Sequence, residues 1–218
     1  MPQSSTSLAE HEATSVAYGP LEIAYDSRVL TPRDWTRQQS TWAADLMQDL
    51  PDGPILELCS GAGHIGLLAA HLSGRRAVLV DMEPTACHYA RLNAETAGLG
   101  EFVEVRLARA DAALRPDERF ACVMVDPPWV PTSEIDRFPE DPRLAIDGGE
   151  DGLDVIRDLL HVVAPALLPH GVALVQLGTS AQVEQLHTWL DTPDSPSLTI
   201  TEVRVHGDRG VVALLEQA

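Results

Sequence analysis

Residues 55–66, Ile55-Leu56-Glu57-Leu58-Cys59-Ser60-Gly61-Ala62-Gly63-His64-Ile65-Gly66, read as a buried strand that runs into a glycine turn and then a helix. Apart from Glu57 the strand is apolar at consecutive positions, as expected where both faces of a parallel sheet are covered. Gly61, Gly63 and Gly66 satisfy G-x-G-x-x-G, and Asp81 ends the next apolar run, 20 residues after Gly61. A doubly wound sheet holds a nucleotide this way, with a tight turn, a close backbone approach and an acid that accepts from ribose hydroxyls. A glycine triplet also fits a tight strand–helix turn with no ligand. Its place between a buried strand and an acid-ended one favours a cofactor site.

Working outward, further apolar runs at 77–80, 102–107, 120–125 and 172–177 alternate with helical stretches over 64–73, 84–97, 152–167 and 180–190. That rhythm predicts an α/β fold with a mostly parallel, doubly wound sheet. Residues 198–205 and 211–215 flank a turn-rich link, His206-Gly207-Asp208-Arg209-Gly210, and predict a C-terminal antiparallel hairpin. The body is thus expected over 51–218. Before it, 16–30 suit a small hairpin turning at Gly19-Pro20 or Asp26-Ser27. Trp35, Gln39, Trp42, Leu46 and Leu50 recur near helical spacing from Asp34 onward and predict a helix docked on the body. Residues 1–15 are polar without an apolar period and are expected to form a flexible tail.

Composition narrows the function classes. The 218 residues carry 33 acids against 15 bases, for a formal charge of −18, and every base is arginine. Nucleic-acid binding draws most of its affinity from clustered cations, so a phosphate-tracking surface is not expected. No run approaches the roughly 18 apolar residues of a membrane span, and no apolar run after the start suggests a secretory signal. Cys59, Cys87 and Cys122 are odd in number and lack metal-type spacing, as expected for free thiols in a reducing cytoplasm. The eight histidines show no ligand spacing either, and no metal is expected.

Charge also selects the cofactor. A dinucleotide would put a doubly negative pyrophosphate at the helix start. S-adenosylmethionine (SAM) would instead put a sulfonium and an ammonium near the strand ends. Glu57 lies close to the turn and no cation lies between it and Leu72, so the mouth is anionic and suits SAM. Met82 can pack on adenine or at the start of the next helix. Asp111 can accept from the adenine amino group or serve as a turn or cap acid.

The sharpest chemical signal is Cys122-Val123-Met124-Val125-Asp126-Pro127-Pro128-Trp129, a buried strand ending in an acid, two prolines and an aromatic. The prolines have no N–H and a fixed φ, so their carbonyls point in set directions. Asp126 and a proline carbonyl can each accept one N–H of an NH₂ group, while Trp129 can stack on a planar substrate. A proline-stopped strand with a core tryptophan would look the same. Its place at the carboxyl end of the fourth strand favours the ligand reading.

Together these motifs resemble the HemK-type family of class I SAM-dependent methyltransferases, which modify glutamine in release factors. Arg28-Val29-Leu30-Thr31-Pro32-Arg33 is similar to the family's V-L-x-P-R, and Asp126 to Trp129 stand where it has N-P-P-Y. Asp141-Pro142-Arg143-Leu144-Ala145-Ile146-Asp147-Gly148-Gly149-Glu150-Asp151-Gly152-Leu153-Asp154 is similar to its E-P-x-x-A-L-x-G-G-x-D-G-L stretch, and Asp208-Arg209-Gly210-Val211-Val212 to its closing strand. The likeness spans roughly residues 25–218. It implies a Rossmann-like methyltransferase fold with a seven-stranded sheet, SAM contacts at Cys59, Ser60, Gly61, Ala62, Gly63, Asp81 and Ala112, and acceptor contacts at Asp126, Pro127, Pro128 and Trp129.

Three departures stand out. Cys59 replaces the first glycine of the family's turn. Only about 25 residues precede the match, so the family's helical N-terminal domain is expected to be absent. Asp126 and Trp129 replace its asparagine and tyrosine, a combination similar to the D-P-P-W of adenine-amino methyltransferases. The expected activity is methyl transfer from SAM to nitrogen, on a small-molecule amine or amide or on a protein glutamine. An adenine methyltransferase with a basic partner and a non-catalytic SAM-binding scaffold are the alternatives. Three more features stay open: His64 as site residue or exposed loop histidine, Arg33 as carboxylate ligand or ion pair, and 147–150 as lid or acidic loop.

Overall fold

The computed structural model describes residues 12–207 and 210–218. The chain begins with a hairpin of β1 (Thr14–Tyr18) and β2 (Leu21–Tyr25). It closes through Gly19, whose positive φ suits the first position of a two-residue hairpin turn. Of the tail expected over 1–15, residues 1–11 lie outside the described residues, whereas Thr14 and Ser15 belong to β1. Backbone pairing with Tyr25 and Ala24 takes these two polar residues into the strand.

A short 3₁₀ turn, Asp34–Thr36, leads into α1 (Arg37–Leu46). Gln39 and Trp42 are fully buried on its inner face. The α-helix stops at Leu46, short of the expected Leu50, and turns continue to Leu50.

The body follows as β3 (Ile55–Leu58), α2 (His64–Ser73), β4 (Ala77–Asp81), α3 (Pro84–Thr96), β5 (Val103–Leu107), α4 (Ala110–Ala113) and β6 (Phe120–Val125). A second 3₁₀ turn, Thr132–Arg137, precedes α5 (Arg143–Ile146), α6 (Asp154–Ala166), β7 (Leu167–Leu177), α7 (Ser180–Leu190), β8 (Leu198–Val205) and β9 (Val211–Gln217). Every sheet strand anticipated from the apolar runs is present. β7 starts five positions early because Leu167 pairs with Phe120 before the ladder resumes at Val172 and Cys122.

The seven-stranded sheet has the order β5-β4-β3-β6-β7-β9-β8, with β7-β9 and β9-β8 antiparallel and the other pairs parallel. This is the expected mostly parallel sheet with a C-terminal antiparallel hairpin. Asp208 and Arg209, in the turn of that hairpin, lie outside the described residues.

Apolar side chains cover both faces. Ile55, Cys122, Met124 and Leu174 pack with the N-terminal hairpin, α1 and α2. Leu56, Leu58, Val123 and Val125 pack with α6 and α7. Strand order reverses at β3: the chain builds outward through β4 and β5, then returns to place β6 on the other side. Ligands of open α/β sheets bind at the carboxyl ends of the strands flanking such a reversal.

Candidate active site

Leu58 pairs with Val125, so Cys59 and Asp126 leave the sheet side by side. The turn after β3 is tightly held. Ser60 N–H donates to the Val80 carbonyl (3.1 Å), Gly63 N–H to the Ser60 carbonyl (2.8 Å), and Gly61 N–H to Asp81 Oδ2 (2.8 Å). Gly61 has a φ of 52°, and a Cβ there would meet nothing within 4 Å, so the backbone is bare toward open space. Gly66 serves a different need. A Cβ would stand 2.3 Å from Leu79 Cδ2 and 2.4 Å from Glu57 Oε2, so only glycine lets α2 pack against β3 and β4. Cys59 takes a φ of 61°, a left-handed conformation that disfavours any side chain.

Three carboxylates surround this turn. Glu57 is 1% exposed; its Oε2 accepts from Gly66 N–H (3.0 Å) while Oε1 has no partner. Burial pushes its pKa far up, and the charges of Asp126 and Asp81 add to the rise. Asp81 accepts from Gly61 N–H and, through Oδ1, from Glu83 N–H (2.9 Å); burial still raises its pKa. Asp126 is half-buried, and burial lifts its pKa to about 7. None of the three has an arginine partner among the described residues.

Ser60 Oγ and His64 Nδ1 are also buried without a partner. With Glu57 Oε1 this makes three orphaned polar atoms within eight residues, each worth about 1–3 kcal/mol of lost hydrogen bonding if nothing supplies a partner. The donors and acceptors fit a small polar cofactor. His64 opens α2 rather than standing in an exposed loop. It is half-buried, with Tyr18 edge-on at 4.9 Å, and burial holds its pKa down at about 3.

The other residues expected at the cofactor are placed as follows. Ala62 is buried, and its carbonyl accepts from Asn93 Nδ2 (2.9 Å). Met82 is 47% exposed. Asp111 and Ala112 are exposed on α4, where Asp111 pairs with Arg109 at 3.3 Å. These three reach the same carboxyl edge of the sheet, because Ala108 N–H bonds the Asp81 carbonyl. They make no hydrogen bond to the glycine turn.

Beside the Asp126-to-Trp129 segment, Gln39 of α1 donates to the carbonyls of Val125 (3.2 Å) and Leu174 (2.9 Å), fixing the end of β6. Pro127 is buried; Pro128 and Trp129 are half-buried. The Trp129 carbonyl accepts from Gln182 Nε2 at 2.8 Å. Residues 147–150 are stitched down rather than free. Val130 and Gly148 exchange bonds with the Ile146 and Val130 carbonyls, Thr132 N–H meets the Gly149 carbonyl, and the Thr132 hydroxyl donates to Asp147 at 2.6 Å.

Four further residues shape the site, and their roles were not anticipated from sequence. Gln39, Asn93 and Gln182 act through side-chain bonds to distant backbone. Tyr18 hydrogen-bonds Thr36 at 2.7 Å, and burial together with the charges of Asp126 and Glu57 pushes its pKa up. Only Gln182 left a local signal, the Thr179-x-x-Gln182 capping box.

Comparison with solved structures identifies this architecture as that of the class I methyltransferases. The hMettl16 catalytic domain, in complex with a MAT2A 3′UTR hairpin, superposes with a TM-score of 0.72 over 90% of this chain and 75% of that one, at 18% identity. The ribosomal protein L11 methylase of Lactobacillus delbrueckii subsp. bulgaricus gives 0.64 over 88% and 83%, at 13% identity. Residues 39–138 match the family model described as conserved hypothetical protein 95.

Sequence relatives are more specific. The release factor glutamine methyltransferase of Streptomyces coelicolor is 33% identical over 193 residues, covering 82% of this chain and 67% of the relative. That of Mycolicibacterium smegmatis is 36% identical over 177 residues, 77% and 60%. The ribosomal protein uL3 glutamine methyltransferase of Bradyrhizobium diazoefficiens is 33% identical over 195 residues, 80% and 60%. The chain belongs to the release factor glutamine methyltransferase family. It spans 60% of the length of the latter two relatives.

Proposed function

We propose that this protein is a SAM-dependent N-methyltransferase, with the cofactor at the 59–63 turn and the acceptor nitrogen at Asp126-Pro127-Pro128-Trp129. One observation carries the reading: the acidic side chains of Glu57, Asp81 and Asp126 gather around an open glycine turn, and no arginine among the described residues brings them a positive charge. A sulfonium and an ammonium supply that charge, whereas a pyrophosphate would oppose it. The orphaned Glu57 Oε1, Ser60 Oγ and His64 Nδ1 add polar groups that a bound SAM can satisfy, and Asp81 is the acid we assign to its ribose hydroxyls. When bound, SAM supplies the electrophilic methyl group.

The chain's own part is positioning. Asp126 accepts one N–H of the acceptor and the Pro127 carbonyl the other, which turns the nitrogen lone pair toward the methyl group, while Trp129 stacks on the acceptor. Rate then comes from orientation and from a carboxylate that stabilises positive charge developing on nitrogen.

The acceptor we favour presents only N–H groups to Asp126, as an amine, amidine or aryl amine does, because an ionised carboxylate can accept but not donate. A protein glutamine is the second reading, favoured by the names of the relatives. The −18 charge and the lack of lysine speak against an isolated nucleic-acid enzyme. No helix among the described residues is long and apolar enough to cross a membrane; from the names of the relatives, which modify release factors and a ribosomal protein, we infer that the protein works in the cytoplasm.

Calorimetry with S-adenosylhomocysteine and with NAD tests the cofactor. The former should bind and the latter should not; tight NAD binding would overturn the reading. Labelled SAM with a glutamine peptide and a panel of amines then tests the acceptor.

A further inference from the structure

We propose that Gln182 is the positioning residue that fixes Trp129 for the acceptor, an inference that rests on the reading of Asp126–Trp129 as the acceptor site. Gln182 is 6% exposed and uses its whole amide. Oε1 accepts from Gly178 N–H (2.9 Å) and Thr179 N–H (3.2 Å); Nε2 donates to the carbonyls of Trp129 (2.8 Å) and Asp151 (3.3 Å). Two donors and two lone pairs are all an amide offers.

The surroundings are cut to this side chain. A Cβ at Gly152 would lie 2.5 Å from Gln182 Nε2 and 2.2 Å from the Trp129 carbonyl oxygen, so glycine there leaves the gap through which the amide reaches. The indole itself lies on bare backbone: a Cβ at Gly178 would stand 2.3 Å from Trp129 Cε3 and 2.6 Å from Cζ3. Trp129 is thus held from below by Gly178 and at its carbonyl by Gln182, both on the turn that starts α7.

The chemistry separates this role from helix capping. Thr179 and Gln182 form a capping box, in which the residue three positions into the helix need only accept N–H bonds. Glutamate does that as well as glutamine. The NH₂ half is superfluous for the cap and is directed instead at Trp129 and Asp151. Glutamine rather than glutamate is what the Trp129 carbonyl requires.

Gln182→Glu in the full chain therefore keeps the cap's acceptors and turns lone pairs on the Trp129 carbonyl. Acrylamide quenching of tryptophan emission should rise about twofold for the Trp129 component, and the rise should vanish when the same change is made together with Trp129→Phe. Thr179→Ala should lower Tm without altering that quenching. Unchanged quenching in Gln182→Glu, or a rise that survives Trp129→Phe, overturns the proposal. Calorimetry with S-adenosylhomocysteine is read separately. Failure of the parent to bind it refutes the methyltransferase reading, while the quenching pair still decides what holds Trp129.

Discussion

Arg33 Nη2 donates to both carboxylate oxygens of Asp141, at 2.8 and 2.7 Å, across 108 residues of chain. The ion pair joins the Val29-Leu30-Thr31-Pro32-Arg33 segment to the Asp141-Pro142 corner. The excursion between β6 and α6 is thereby fastened to the N-terminal region. Leu30 adds apolar contact with Val130, Ile135 and Ile146. Arg33 is thus an ion-pair partner of Asp141. Asp141 is 9% exposed on its side chain and Arg33 42%, so the pair is better shielded than a surface bridge. A double-mutant cycle with Arg33→Ala and Asp141→Ala, read by urea unfolding, should show a coupling of about 1 kcal/mol. A coupling indistinguishable from zero would mean that the tether contributes nothing.

On the proposed reading Asp81 accepts two ribose hydroxyls, so Asp81→Ala should weaken S-adenosylhomocysteine binding by about 2–4 kcal/mol. It also releases Gly61 N–H, which Asp81 now holds at 2.8 Å, so the turn loses its set as well as its ligand. Calorimetry measures the change; unchanged affinity would mean that the ribose lies elsewhere.

Cys59 stands at φ 61° where the family has glycine, so the departure seen in sequence puts a side chain into a left-handed conformation. That conformation disfavours an L-residue by roughly 1–2 kcal/mol, and Cys59 recovers part of this by packing partly against the core beneath. Cys59→Gly should therefore change stability by less than about 1 kcal/mol and leave cofactor affinity unaltered. Burial and three neighbouring carboxylates push its thiol pKa up, so the parent should react slowly with iodoacetamide near neutral pH. Rapid alkylation would contradict the packing described.

What was legible in the sequence follows from the range of the interactions. Ile55–Leu58 and Phe120–Val125 are buried at every position; the run of apolar residues over 120–125 announces that directly, and over 55–58 it does so at every position but Glu57. The strand order is non-local and depended on which run pairs with β3. Glu57 was read as part of an anionic mouth. Its acidity is there, but one oxygen locks Gly66 of α2, a tertiary contact invisible to spacing. The Asp126-to-Trp129 motif was readable because four consecutive residues carry it. Its support was not, since Gly178 and Gln182 lie about fifty residues away and reach Trp129 only once β6 and β7 are paired.

Asp126 gives the most demanding prediction. Burial holds its pKa near 7, well above the roughly 3.9 of an unfolded chain. The folded state therefore binds this proton more tightly, and stability falls as pH rises from about 4 through about 7. Asp126→Asn abolishes that loss. The variant should match the parent in acid and exceed it at pH 8 by on the order of 1–2 kcal/mol, the figure kept small because the carboxylate is half-buried. Catalysis should move the other way. Only the ionised carboxylate stabilises charge growing on nitrogen, so turnover of an amine acceptor should climb through about pH 7 and level off above it. Asp126→Asn should flatten that limb and lower turnover by roughly tenfold or more, with S-adenosylhomocysteine affinity nearly intact. On a glutamine peptide above about pH 7 the order should reverse, because asparagine can donate to the amide oxygen where an ionised aspartate cannot. Stability curves at pH 4 and 8, with rates on both acceptors from pH 5 to 9, decide the matter. Efficient glutamine methylation by the parent, with Asp126→Asn no better, would defeat the preference for an acceptor presenting only N–H groups.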